Sequence, residues 1–382
     1  MPEVAEHVVD GHPVRIVTLA NAHGRAVLAD LGARLIELHL PGRDGALADV
    51  VLAPPGLDGL VGDRSYFGAT VGRYAGRIAH AAFTLDGVTH RLAANEGEHH
   101  VHGGVRGFDQ HRWSTELGGD GETVTFRHRS AAGEEGFPGT VEAWVTYRLD
   151  ANTLTITMGA TTDEATVVRM VHHSYWNLAG HDAGDVLGHE LRVAAGQHVP
   201  LGADLLPSGG PRPVAGTPYD FRAPRPIGAG NAVARDGRGY DDVWALDGTG
   251  LRVAASLTDP ASGRRLELTT DQAGLCVYAG GHLRGVRGGR AGAERLPRRR
   301  QPPRLPLARP AAGRGLPQRD AADVHGDLTG GQRLNRSPVP VSKTCTCAGS
   351  VVTCTVSPLR CSRRASTRIT MFSGVPATSL VP

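Results

Sequence analysis

The sequence predicts an all-β protein, a large antiparallel β-sandwich, and three observations carry that prediction. Thr153-Leu154-Thr155-Ile156-Thr157-Met158 alternates apolar and polar residues, which puts Leu154, Ile156 and Met158 on one face of a strand. Ala82–Leu85 and Val88–Leu92 flank Asp86-Gly87, a dipeptide that accepts the positive φ angles of a two-residue hairpin turn. Long helical periodicity is missing, while turn residues recur between short strand candidates. Residues 142–149 and 264–270 continue the strand pattern. Many short strands with glycine-rich turns over about 290 residues fit two stacked antiparallel sheets.

At 382 residues the chain is long enough for one large or two ordinary domains, with a substantial core. Its net charge of +3 conceals a division: residues 1–290 hold 26 basic and 34 acidic side chains, and residues 291–382 hold 15 basic and 4 acidic ones. The cysteines divide too. Cys345, Cys347, Cys354 and Cys361 lie in the last quarter and Cys276 in the body, so disulfides are not expected to hold the fold. From about Ala291 to Arg319 the text is arginine, proline, alanine and glycine, and strand alternation stops. Such a segment buries too little apolar surface to offset its ordering entropy. The expected organisation is a β-sandwich domain over 1–290 and an Arg/Pro-rich tail over 291–382, irregular or disordered. Met1–His7 shows no basic start and no apolar stretch, and no run approaches the ~20 apolar residues that span a bilayer. The expectation is a cytoplasmic protein without a membrane partner.

The densest chemistry lies in Val171-His172-His173-Ser174-Tyr175-Trp176-Asn177-Leu178-Ala179-Gly180. An imidazole there can exchange a proton near neutral pH, and the neighbouring rings and amide can grip a polar molecule with an apolar face, such as a sugar. Three more clusters accompany it: Gly72-Arg73-Tyr74-Ala75-Gly76-Arg77-Ile78, the stretch from Asn95 through His102-Gly103-Gly104 to Trp113, and Gly239-Tyr240-Asp241-Asp242. Taken singly, each also reads as a solvated loop or a satisfied strand.

In this order and spacing the four clusters resemble the galactose mutarotase (aldose 1-epimerase) family over roughly residues 5–290. The family shows G-R-x-A-N-R-I, L-H-G-G, N-H-S-Y-F-N-L-A-G and a G-F-D-H-type turn; this chain has G-R-Y-A-G-R-I, V-H-G-G, H-H-S-Y-W-N-L-A-G and G-Y-D-D. The resemblance implies a mutarotase-like supersandwich and an aldose 1-epimerase that interconverts α and β anomers of hexoses such as galactose and glucose. It implies His173 as general acid, and Arg77, His102 and Asp241 as hydroxyl-binding residues. Trp176 is expected to cover the C–H face of the sugar. Gly76 stands where many relatives carry a sugar-binding asparagine, and Cys276 where they often carry glutamine. The partner implied is a small aldohexose; no cofactor, no metal and no nucleic acid is implied.

The family's base, a glutamate in a late L-E-T-Q-type strand, has no counterpart here. Counting forward from Asp241 reaches Gln301-Pro302-Pro303-Arg304-Leu305, which holds no carboxylate, and Glu294 comes too early. Composition, charge and strand pattern change together after Arg290, which suggests a frameshift in arginine-rich, GC-rich coding text. Reading another frame after codon 290 should restore an L-E-x-Q-like strand; if none does, that explanation is wrong. Without late strands the sandwich is expected to leave open edges, and without the base catalysis is expected to be severely weakened. The alternative is a non-catalytic carbohydrate-binding protein of the same ancestry.

Other classes fit less well. His99, His100, His102, His172 and His173 suggest a metal enzyme, yet no glutamate follows His102 at cupin spacing, and adjacent strand residues such as His172 and His173 point to opposite faces. The basic tail admits non-specific phosphate contacts, but off-frame text has the same composition. A hexose-phosphate epimerase would need cations around the pocket, for which Arg73 and Arg106 are nearest in sequence.

Overall fold

Apolar residues at every second position form the strands, and their antiparallel pairing builds three principal sheets. In the computed structural model residues 2–281 and 283 are described in full, and residues 365–372 as backbone. A nine-stranded sheet runs Ser114–Leu117, Thr123–Ser130, Val141–Asp150, Thr153–Thr162, Ala365–Phe372, Arg265–Thr270, Arg252–Thr258, Glu190–Val193, Arg225–Pro226. A five-stranded meander covers Glu3–Val9, His12–Asn21, Gly24–Ala29, Arg34–Pro41 and Leu47–Asp49. A four-stranded sheet pairs Arg212–Pro213, Gln197–Val199, Asp241–Ala245 and Gly274–Tyr278. Among the described residues the sole α-helix is the short Gly228–Asn231, and no helix is long and apolar enough to cross a membrane.

The expected alternation is observed. Leu154, Ile156 and Met158 are buried with Val145, Tyr147 and Leu149 of the neighbouring strand. They meet Val17, Leu19 and Leu28 of the meander and Trp244 and Leu275 of the four-stranded sheet in one core. The hairpin forms as read: Leu85 pairs with Val88, leaving Asp86 at φ 50° and Gly87 at φ 81°, the conformation a two-residue turn requires.

The tail behaves differently from its composition in one place. Most of the expected irregular segment lies outside the described residues. Within it Ala365–Phe372 forms a strand, antiparallel to Thr153–Thr162 on one side and to Arg265–Thr270 on the other. Open edges were expected in the sandwich; the facing edges of these two strands are paired. Backbone hydrogen bonding can recruit a segment whose composition is unpromising when two prealigned strands offer donors and acceptors.

Candidate active site

Two short strands position the central imidazole. Val171–His173 pairs with Ala69–Val71, with His172 opposite Thr70 and His173 opposite Ala69. The period of two turns the histidines apart. His172 enters the interior, where its Nδ1 lies 3.2 Å from Ser174 Oγ and its ring 5.5 Å from that of Tyr147. His173 instead faces a cleft of about 940 Å³.

The opposite wall carries His102. Its backbone φ of 53° turns the chain after His100–Val101. Gly103 follows at φ 90°, where an added Cβ would lie 1.8 Å from the Gly72 carbonyl oxygen, so the turn needs glycine there. The Gly76 N–H donates to His102 Nδ1 at 3.1 Å, and the His102 N–H donates to the Gly76 carbonyl at 3.1 Å. With Nδ1 accepting, the neutral imidazole carries its proton on Nε2. Arg77, paired in register with Val101, donates to both oxygens of Glu96 at 2.5 and 2.7 Å. Asp241 enters from the third side, on the strand Asp241–Ala245, opposite Tyr278.

Arg77, His102, His173 and Asp241 thus all line one hollow. The imidazoles of His102 and His173 meet edge to face, 5.3 Å between centroids at 85°. Tyr66 lies 4.8 Å from His102 and 5.4 Å from His173, and Tyr175 lies 5.4 Å from His173 and 6.2 Å from Tyr278. Arg64, Arg169, Glu96, Asn95, Ser65 and Cys276 add to the polar lining.

Trp176 is not among these residues. It is fully buried in the main core, pairing with Val51. The reason is the same alternation: Tyr175 shares the cleft side with His173, and Trp176 shares the inner side with Ser174. The cleft-facing ring in this motif is therefore Tyr175, a signal the motif itself contained. The two arginines considered for phosphate also lie elsewhere. Arg73 is buried, bonded to Ser130 Oγ at 2.6 Å and to the carbonyls of Pro138 and Gly139, both at 2.8 Å. Arg106 is exposed and outside the cleft. The cations that line it beside Arg77, namely Arg64 and Arg169, were not legible, because their neighbours in space are distant in sequence. An added Cβ at Gly76 would lie 3.1 Å from Arg169 Nη1, so the space of the missing asparagine side chain abuts that guanidinium.

Burial dominates the electrostatics. It brings His173 down to about 3; the carbonyls of His173 and Tyr66 pull the other way, while Arg34 adds to the lowering. Burial likewise puts His102 well below the usual histidine value, helped by His173 and Arg77. Both rings are neutral near pH 7 in the free cleft.

A pH dependence of stability follows. His172 and His173 are lowered to about 3 and His128 to about 4, each from 6.5, with burial as the main cause. Below pH 6.5 the unfolded chain binds protons that the folded chain refuses. Stability is therefore expected to fall as pH drops from 6.5 towards 3, by up to about 1.4 kcal/mol per pH unit for each ring. Asp242, raised by burial to about 6, opposes this between pH 6 and 3.8. Urea midpoints at pH 7, 6 and 5 measure it; a flat or rising series would refute it.

Comparison with known proteins places the chain in a family. The family model described as aldose 1-epimerase matches residues 15–307. Galactose mutarotase of Rattus norvegicus is 37% identical over 262 residues, covering 68% of this chain and 76% of that protein. The chain belongs to the aldose 1-epimerase family. Aldose 1-epimerase of Escherichia coli strain K12 is 36% identical over 284 residues, 72% of this family member and 82% of the relative. Among solved structures, a GalM/aldose epimerase homologue from C. elegans superposes with a TM-score of 0.65 at 28% identity, covering 72% of this chain and 82% of the other. Galactose 1-epimerase from Lactobacillus acidophilus shares the fold, with a TM-score of 0.71 over 98% of this aldose epimerase chain and 99% of its own, at 22% identity.

Proposed function

We propose that this aldose 1-epimerase chain binds an aldohexose in the cleft and interconverts its anomers slowly, with His173 as proton donor and Arg77, His102 and Asp241 as hydroxyl ligands. The observation that carries the reading is the convergence of these four side chains on one hollow. In the reaction a base takes the proton from the anomeric hydroxyl, the acid protonates the ring oxygen, the C1–O5 bond breaks, and rotation about C1–C2 precedes closure on the other face. Each positioned proton transfer contributes about 10²–10⁴-fold.

On this reading His173 supplies the acid, but a neutral imidazole must gain its proton on the way to the transition state. A carboxylate opposite it would take the anomeric proton and stabilise the imidazolium. Among the described cleft residues the carboxylates are Glu96, engaged by Arg77, and Asp241. That observation favours the second reading, a carbohydrate-binding protein without turnover.

Calorimetric titration with D-galactose and D-glucose, beside polarimetry of freshly dissolved α-D-galactose, separates the two. Saturable binding with a modest rate above the buffer blank supports the first. Binding with no rate supports the second, and failure to bind either sugar refutes both.

A further inference from the structure

Outside the cleft, one cluster of side chains has no part in the chemistry above. His111 follows the turn Phe108–Gln110, His128 lies on the strand Thr123–Ser130, and Glu134 begins the turn Glu134–Gly136. One possible ligand atom from each lies within 4.8 Å of the others, and His111 Nε2 is 3.0 Å from Glu134 Oε1. The two imidazole centroids are 4.5 Å apart, with planes inclined by 33°. None of the three lines the cleft.

We propose that His111, His128 and Glu134 form a binding site for one divalent transition-metal ion of the zinc type, with water completing its coordination. Two imidazoles and a carboxylate are a donor set such ions accept. Tetrahedral bonds of about 2.0–2.1 Å separate neighbouring donor atoms by about 3.4 Å. The His111–Glu134 pair already stands near that spacing, and the third donor must close by at most about 1.4 Å from the 4.8 Å limit. Tetrahedral bonds to one ion hold two ring centroids about 5.2 Å apart, so the observed pair, at 4.5 Å, opens by about 0.7 Å on binding.

The surroundings favour capture. His128 Nε2 is shielded from solvent and has no hydrogen-bond partner, an open cost that a bond to a metal would relieve. Burial, with His111 beside it, brings His128 down to about 4, so the ring is neutral and free to ligate near pH 7. Burial pushes Glu134 up, but the His111 imidazole 3.0 Å away and a hydrogen bond from Ser130 outweigh it and hold the carboxyl at about 2. Ser130 donates to the other Glu134 oxygen and so orients the carboxylate. Phe108 and Trp113 pack 5.2 and 5.3 Å from His128 and fix its ring. His111 and Glu134, whose side chains are 16% and 27% exposed, leave a path for the ion and its water. Arg73, bonded to the same Ser130, and Arg106 are the cations that work against binding.

A second cluster, His80, Glu98 and His99, lacks these features. It is largely exposed, and His99 Nδ1 is already engaged, accepting the His80 N–H at 3.1 Å, while its Nε2 stands 4.0 Å from Glu98. It serves as the control.

The test titrates the metal-free full-length chain with Zn²⁺ by calorimetry and with Co²⁺ by visible absorption. The expected result is one equivalent per chain, Co²⁺ bands of a low-coordinate nitrogen/oxygen site, and a raised melting temperature. His111→Ala and His128→Phe should each weaken binding about tenfold or more, while His80→Ala/His99→Ala should leave it unchanged. His128→Phe keeps a ring between Phe108 and Trp113, and His111→Ala at the half-open side gives an independent reading if that variant fails to fold. Absence of stoichiometric binding, its persistence in His111→Ala, or its loss in His80→Ala/His99→Ala overturns the proposal.

Discussion

Replacing His173 with asparagine is expected to remove the enzyme-dependent part of anomer interconversion, a fall of about 10²-fold or more, because the ring oxygen loses its proton donor. The fold should survive, since His173 faces the cleft and asparagine keeps a polar group there. His172→Asn is expected to act the other way round. That ring faces the interior beside Ser174 and Tyr147, so the change lowers the urea midpoint while leaving sugar turnover per folded molecule nearly intact. Polarimetry of α-D-galactose with both purified variants, normalised to folded protein by circular dichroism, makes the comparison. Equal losses of rate would mean that the donor lies elsewhere.

The second large effect concerns an ion pair that carries one wall of the cleft. Arg34 and Asp63 meet at 2.7 Å with side chains 0% and 6% exposed. Arg34 also donates to the carbonyls of Phe67 and Asp109 at 3.0 and 3.1 Å. Asp63 accepts the backbone N–H groups of Ser65 and Phe67 at 2.8 and 2.9 Å. Together these bonds shape the loop that presents Tyr66, at φ 59°, to the two cleft histidines. Arg34→Met fills a similar volume but strands the carboxylate and two carbonyls. The expected loss is about 3–5 kcal/mol, with weaker sugar binding as the Tyr66 loop relaxes. The double variant Arg34→Met/Asp63→Asn should recover part of that stability, because no buried charge is then unpaired. Urea denaturation of the single and double variants checks it. A single-variant loss under about 1 kcal/mol would show that water already satisfies the pair.

Local rules made much of this protein readable. The Asp86-Gly87 turn, the inward set Leu154, Ile156 and Met158, and the opposed directions of His172 and His173 all follow from backbone preferences over a few residues. The same period of two, carried two residues further, selects Tyr175 over Trp176 as the cleft-facing ring. The misplacement of Arg73 has a different origin. Its partners Ser130, Pro138 and Gly139 lie more than fifty positions away, and nothing near Arg73 in the chain announces them.

By itself the sequence determined the all-β class, the family, and residues on three sides of the cleft, because periodicity and contiguous motifs are local properties of the chain. Only the tertiary structure decided that Glu96 occupies Arg77, that Tyr66 stands against both cleft imidazoles, and that Ala365–Phe372 lies between strands some hundred or more residues earlier. Those pairings are long-range. Their energy is realised only after the intervening chain has been closed into a loop, so no short window of residues carries their signature.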